Sequence, residues 1–261
     1  MAGTLYLIPT PLDFGCLQQG QEAAPLTGVL PEATLHRASG ITHWITENAK
    51  STRAFLKRVA LTHPLAAPLQ AQSIVELPRS IHKQGDHRPA DASTAEIRPL
   101  IEPALQGHDM ALVSEAGMPA IADPGSSVVR AAHAHGIVVR ALPGPVSLML
   151  ALAASGLNGQ NFAFVGYIPS DPAGRTRRLK ELEQLALRTG QTQILIETPY
   201  RNAPLLQTLL QSLQPGTRLA LACGLTLPEE ALRSGTVSQW RQQGWASQMP
   251  LDLPGIFLLG A

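Results

Sequence analysis

Residues 110–145 read MALVSEAGMPAIADPGSSVVRAAHAHGIVVRALPGP, and this stretch decides the fold. It opens on an apolar run, Met110 to Val113, within a strand read as Met110 to Ser114. A long loop set with Gly and Pro follows. Then comes a helix-like run, Val128 to Ala134, with Ser126 or Ser127 as its cap and Gly136 as its stop. Ile137 to Leu142 is the next strand, broken by Pro143-Gly144-Pro145, and Val146 to Ser155 reads as a helix ended by Gly156. Strand, helix, strand, helix with short connections is the pattern of a parallel sheet.

The loop from Val113 to Ser126 is longer than the ~2–6 residues that most such connections need. It holds two acids, Glu115 and Asp123, and no Lys or Arg. That is a poor cradle for a triphosphate and suits a neutral or cationic ligand held by backbone groups.

Upstream, Thr4 to Ile8 is a short buried strand stopped by Pro9-Thr10-Pro11. Pro31 to Ala38 is a helix and Ile41 to Thr46 a strand. Asn48 to Val59 is a helix with Ala49, Phe55, Leu56 and Val59 on its apolar face. Ser73 to Leu77 is a third strand, and Ser93 caps a helix to about Gln106 that Pro99 and Pro103 interrupt. Asp13 to Pro31 and Arg79 to Ala92 read as loops. Downstream, strands are expected at Phe162 to Tyr167, Gln193 to Glu197 and Arg218 to Cys223. Helices fit Pro172 to Arg188 and Pro204 to Leu213. Ala231 to Val237 and Gly255 to Leu259 complete a mixed sheet. The fold class is therefore two α/β domains, residues 1–144 and 145–261.

In a parallel sheet every loop that follows a strand emerges at one edge, and ligands bind there near a topological switch point. Pro9-Thr10-Pro11, the 113–126 loop and Pro143-Gly144-Pro145 should cluster at that edge, facing the second domain, although Gly and Pro after strands are also routine turn chemistry.

The chain of 261 residues carries a net charge of +1, so no global basic field holds nucleic acid. Cys16 and Cys223 are far apart and read as idle thiols of a reducing compartment. No basic-then-apolar leader is seen, and no apolar run spans a bilayer, so a cytoplasmic protein without membrane contact is expected. P-loop and dinucleotide fingerprints are absent. His133 and His135 point apart at i,i+2 on a helix, so no metal is expected. No G-x-S-x-G elbow frames Ser147 or Ser155.

The run Ala111 to Gly125, with Leu142-Pro-Gly-Pro145 and Ala153-Ala-Ser-Gly156, resembles the tetrapyrrole methylase superfamily. It is most similar to the branch that methylates a cytidine 2′-hydroxyl of small-subunit ribosomal RNA. Ile8 to Pro11, Phe162 to Pro169, and Glu197, Pro199 and Arg201 match further motifs of that branch. The resemblance implies two α/β domains, S-adenosylmethionine folded in the cleft between them, and a homodimer. Carried over by position, the cofactor touches Pro9, Ser114, Ala116, Gly117, Met118, Ile121, Val146, Ser147, Leu225, Thr226 and Pro254. Three stretches depart from the branch. Glu47-Asn48-Ala49-Lys50 stands for Glu-Asp-Thr-Arg, Cys223-Gly224-Leu225-Thr226-Leu227 for Arg-Glu-Leu-Thr-Lys, and Leu12-Asp13-Phe14-Gly15 for Ile-Gly-Asn-Leu.

Glu47, Lys50, Arg53 and Arg201 are candidates for the substrate side, each equally readable as a cap or surface ion pair. Arg175, Arg177, Arg178, Lys180 and Arg188 offer phosphate contacts or a solvated mixed-charge face. The acceptor alternatives are ribosomal RNA, a small molecule such as a tetrapyrrole, or none, in a non-catalytic cofactor-binding module. The Phe14 to Pro31 stretch suits a lid for either acceptor.

Overall fold

The computed structural model describes residues 2–13, 24–78, 86 and 90–261. Most of the two loops expected at 13–31 and 79–92 lies outside these residues. The chain divides into two units, Met1–Val146 and Ser147–Ala261.

The first unit is a five-stranded sheet in the order β3-β2-β4-β1-β5. Its strands are β1 (Thr4–Leu7), β2 (His43–Thr46), β3 (Ser73–Glu76), β4 (Met110–Val113) and β5 (Val138–Ala141), and every pair is parallel. Its helices are α1 (Glu32–Ser39), α2 (Ala49–Val59), α3 (Ala90–Leu105) and α4 (Ser126–Ala134). Alternation along the strands builds a core on each face. Leu5, Leu7, Met110 and Leu112 pack with Ile97 and Ile101 of α3 and Val128 and Ala132 of α4. Tyr6, Ile8, Ala111 and Val113 pack with Leu35 of α1 and with Phe55 and Leu56 of α2. The chain leaves β1 for a helix on one face and leaves the adjacent β4 for a helix on the other. This is the switch point at which a parallel sheet opens a crevice.

Two expectations fail at helix ends. Helix α3 begins at Ala90 and runs through Pro99 and Pro103, so Ser93 is not its cap. The buried stripe of Ile97, Ile101 and Ala104 outweighs the missing backbone donors. Helix α4 has Gly125, not a serine, at its N-cap, and no side chain of that residue closes it.

The second unit is a mixed sheet in the order β6-β7-β10-β8-β9. It is built from β6 (Phe162–Tyr167), β7 (Thr192–Glu197), β8 (Arg218–Cys223), β9 (Ala231–Thr236) and β10 (Gly255–Gly260). β6 and β7 are parallel, whereas β10 runs antiparallel to β7 and β8. The helices are α5 (Ser147–Ser155), α6 (Pro172–Thr189), α7 (Pro199–Ser212) and α8 (Val237–Gln243). One face holds Leu195, Leu221, Cys223 and Phe257 against Leu179 and Leu182 of α6, Leu206 of α7 and Trp240 of α8. Helix α5 lies against β8, β9 and β10. Helix α7 starts at Pro199, five residues before the expected Pro204, because proline is well suited to a first helical turn. Val237 opens a helix rather than closing a strand. Thr236 and Gln239 form a reciprocal capping box there, with bonds of 2.8 and 3.1 Å.

The Cys223 thiol is fully buried and its pKa is pushed up to about 12, first by burial and then by the charge of Asp252. Among the described residues no helix is long and apolar enough to cross a membrane, and no group of His, Cys, Asp or Glu is arranged to hold a metal.

Candidate functional site

The three Gly/Pro loops meet at the carboxyl edge of the first sheet. Thr10 and Gly117 exchange a pair of backbone hydrogen bonds of 2.9 and 3.0 Å, which ties the loop after β1 to the loop after β4. The Thr10 hydroxyl also donates to the Ser114 carbonyl at 3.3 Å, and Ser114 Oγ donates to the Gly117 carbonyl at 3.2 Å. The loop after β5 joins through Gly144. A Cβ at Gly144 would lie 2.2 Å from Cγ of Pro9, and one at Gly117 would lie 3.1 Å from Leu12 and 3.6 Å from the Pro145 carbonyl. Two glycines thus allow three loops to touch. Thr34 Oγ1 of α1 holds the Pro143 carbonyl from behind at 2.9 Å.

Pro9, Ser114, Ala116, Gly117 and Met118 therefore belong to one loop cluster. Ile121 sits on the exposed part of the same loop. Val146 ends the first unit and Ser147 opens α5 in the second. The loop is not relaxed. Gly117 has φ +81°, and Ala120 and Ala122 hold φ of 65° and 64°. For an L-residue with a Cβ this conformation costs about 1–2 kcal/mol. Such strain persists only where surrounding contacts over-determine it.

The far end of the loop is held by Asp86. One oxygen of its carboxylate accepts hydrogen bonds from Gly125 N at 2.7 Å, Ser127 N at 2.9 Å and Ser126 Oγ at 3.0 Å. Arg130 of α4 donates to the Asp86 carbonyl at 3.0 Å. Asp86 is the cap that Ser126 and Ser127 were expected to provide. Burial alone would raise its pKa, but the donors of Ser127, Gly125 and Ser126 outweigh that and lower it. A cap arriving from some forty residues upstream leaves no local sequence signal. Only the lack of a capping side chain at Gly125 hints that one must come from elsewhere.

The cluster is acidic. Glu47, after β2, accepts from the Glu115 amide at 3.1 Å. Asp123 is half-buried, and its pKa is raised to about 7. Burial is the largest cause, with the charges of Glu47 and Glu115 adding to it and a hydrogen bond from Ser114 opposing. A pocket of about 40 Å³, lined in part by Thr10, Ser114, Glu115 and the Arg58–Asp13 ion pair, has room for roughly one water and none for a nucleoside. Carbonyls, hydroxyls and carboxylates without a lysine or arginine in the loop suit a sulfonium cation. The donor set therefore fits S-adenosylmethionine, and the tight Gly117 and Gly144 contacts shape the edge against which it would lie.

Lys50 and Arg53 lie exposed on the first turns of α2, where the Asn48 side chain caps the Lys50 amide at 2.9 Å. In the second unit, Leu225, Thr226 and Pro254 come together. The Gly224 amide donates to the Pro254 carbonyl at 3.0 Å, and the Thr226 amide donates to Glu230 at 2.7 Å. Thr226 has φ 70°, a marked outlier for a β-branched residue. Arg201, on the first turn of α7, pairs with the buried Glu197 at 2.6 Å.

A family model described as Tetrapyrrole (Corrin/Porphyrin) Methylases matches residues 45–240. A Xylella fastidiosa protein named Ribosomal RNA small subunit methyltransferase I is 31% identical over 92% of this chain and 75% of its own length. Proteins of the same name from Escherichia coli and Pseudomonas aeruginosa are 27% and 38% identical, over 91% and 49% of this chain and 70% and 44% of theirs. Two solved structures share the fold over 99% of this chain and 94% of each of theirs. One is entitled the methyltransferase CobJ, with TM-score 0.53 and 20% identity. The other is a Thermus thermophilus uroporphyrin-III-C-methyltransferase, with TM-score 0.50 and 22% identity.

Four outcomes follow from this geometry. Gly144→Ala should cost about 1–3 kcal/mol by overpacking against Pro9, read from denaturant unfolding. Asp86→Ala should cost about 2–3 kcal/mol and speed amide exchange at Gly125 and Ser127. Asp123 binds a proton more tightly folded than unfolded. Its contribution therefore destabilises the fold progressively as pH rises from about 4 to about 7, by at most roughly 4 kcal/mol. Asp123→Asn should flatten that limb of a pH-stability curve. Asp86, with its pKa lowered, stabilises above the ordinary carboxylate range, and that contribution is lost as pH falls through its folded value.

Proposed function

The chain belongs to the tetrapyrrole methylase family and is an S-adenosylmethionine-dependent methyltransferase, and from that premise we propose that it methylates ribosomal RNA as a homodimer in the cytoplasm. The observation that supports the donor half is the loop cluster at the switch point of the first sheet, acidic and free of Lys and Arg within the 114–125 loop. The acceptor half rests on the names of the relatives.

The bound cofactor supplies an activated methyl group, so the protein's task is alignment at near-attack distance. Pro9, Ser114, Ala116, Gly117, Met118 and Ile121 would hold it from the first unit, with Val146 and Ser147 at the boundary. Leu225, Thr226 and Pro254 would hold it from the second. The Thr10–Gly117 pair and the Asp86 cap hold the 114–125 loop in its observed conformation. Glu47 and Glu115 give that loop a negative field, to which Asp123 adds its charge once a bound cation displaces its proton. Glu47, Lys50, Arg53 and Arg201 are assigned to the substrate side.

The homodimer is supported by α5, whose sequence SLMLALAAS is apolar on every side. An all-apolar helix is normally buried, yet Met149 and Leu150 are exposed. Phe162 and Phe164 of the edge strand β6 are exposed as well, as expected of a surface that a second copy covers.

A tetrapyrrole acceptor is the second reading. The neutral run Cys223 to Leu227 favours it, because the resembled ribosomal branch carries charged residues there.

Transfer of a tritiated methyl group to small ribosomal subunits, bulk RNA and porphyrinogens separates the acceptors, and label in porphyrinogens alone sinks the ribosomal assignment. Calorimetric titration with S-adenosylmethionine in two buffers of different ionisation enthalpy tests the donor site. Near pH 7 a cation beside Asp123 should expel its proton, and Asp123→Asn should abolish the buffer dependence while binding persists. Equal heats in both buffers for the unmodified protein would place the cofactor away from Asp123.

A further inference from the structure

Strand β6 carries a register shift between Phe164 and Gly166. Phe162, Phe164 and Tyr167 pair with Thr192, Ile194 and Ile196 of β7. The odd spacing from Phe164 to Tyr167 would put them on opposite faces of a regular strand. The bulge restores Tyr167 to the face of the two phenylalanines, while Val165 packs into the core on the other side. Tyr167 is thereby set at the carboxyl end of β6, beside the carboxyl end of the parallel strand β7, and is 60% exposed.

The next turn of chain brings a second ring and two guanidinium groups to the same end. Tyr200, at the start of α7, is 79% exposed. Its neighbour Arg201 has its pKa raised, first by the hydrogen bond from its guanidinium to Glu197, and least by the phenol groups of Tyr200 and Tyr167, which lie within electrostatic reach of it. Glu197 is buried and fixes Arg201 at 2.6 Å. Arg175 folds back over the β6–α6 turn, donating to the Ser170 carbonyl at 2.8 Å. Arg177 and Lys180 stand exposed on the following turns.

We propose that Tyr167, Tyr200 and Arg201, flanked by Arg175, form a platform for an unpaired stretch of RNA, on which bases stack against the two rings and phosphates meet the arginines. The proposal deepens the ribosomal RNA reading and rests on it. Unpaired RNA is recognised by stacking on aromatic and guanidinium planes together with positive charge along the backbone. Composition separates this end of the sheet from its neighbour. Tyrosines with arginines offer rings that carry polar tips and cations for phosphate, whereas Phe162, Phe164, Met149 and Leu150 offer only apolar surface for a second copy.

The test uses the full chain, a fluorescein-labelled single-stranded RNA oligonucleotide of mixed sequence, and isolated small ribosomal subunits. Tyr167→Ala with Tyr200→Ala should weaken oligonucleotide binding about 10-fold or more and raise KM for subunits. Tyr167→Phe with Tyr200→Phe should keep affinity within about 3-fold, because the ring faces remain. S-adenosylmethionine affinity and the mass in solution should not move in either variant. If the unmodified protein binds and methylates RNA while the double alanine variant does so equally well, the platform is wrong and the ribosomal reading stands. An unmodified protein that neither binds nor methylates RNA overturns both. Dissociation of the double alanine variant into monomers would assign the rings to a self-interface and overturn the platform.

Discussion

Two backbone hydrogen bonds, Thr10 N to Gly117 O and Gly117 N to Thr10 O, hold the first unit's edge together. They join loops that leave adjacent strands toward opposite faces of the sheet, where a parallel sheet otherwise splits open. Around that pair the remaining features are consequences. Gly117 must adopt a positive φ, Gly144 must lack a side chain so that Pro9 can approach, and Ser114 must turn its hydroxyl back on the loop. None of these bonds uses a charged group, so the loop is closed without spending its carboxylates on ion pairs.

The acidity has a cost that the fold meets locally. Glu47, Glu115 and Asp123 share a small volume, and burial of Asp123 would make a third full charge unfavourable. Asp123 therefore holds its proton up to about neutrality instead of ionising. The same loop stores backbone strain at Ala120 and Ala122, and Asp86 holds its far end by three donors. Negative charge, strain and a remote clamp thus coincide on one loop. This is the association expected of a binding segment rather than of a mere connection.

Up to α8 the alternation of strands and helices was readable, because buried parallel strands such as Met110–Val113 are short apolar runs bounded by Gly and Pro. The clustering of the three loops followed from that alternation alone. Features that depend on distant partners were not readable. The cap on α4 comes from Asp86, and α3 survives two prolines only because Ile97, Ile101 and Ala104 are buried against the sheet. Helix α8 is short, and its capping box at Thr236 lies directly after a strand, so the two periods run together. For the site, the donor-side residues on the 114–125 loop were recognisable by motif. The environment of Asp123 and the bulge that redirects Tyr167 emerge only once strand register is known.

Cys223 lies at the end of β8 in the middle of the second core, with its thiol shielded and its thiolate disfavoured. A thiol reagent can reach it only when that sheet opens, so the rate of its labelling is an intrinsic clock for opening of the second unit. Because the strand it ends leads directly into the Gly224–Thr226 turn, the same clock would slow if a ligand held that turn. An otherwise idle sulfur thereby becomes a native reporter of whether that half of the chain is engaged, with no probe added to the protein.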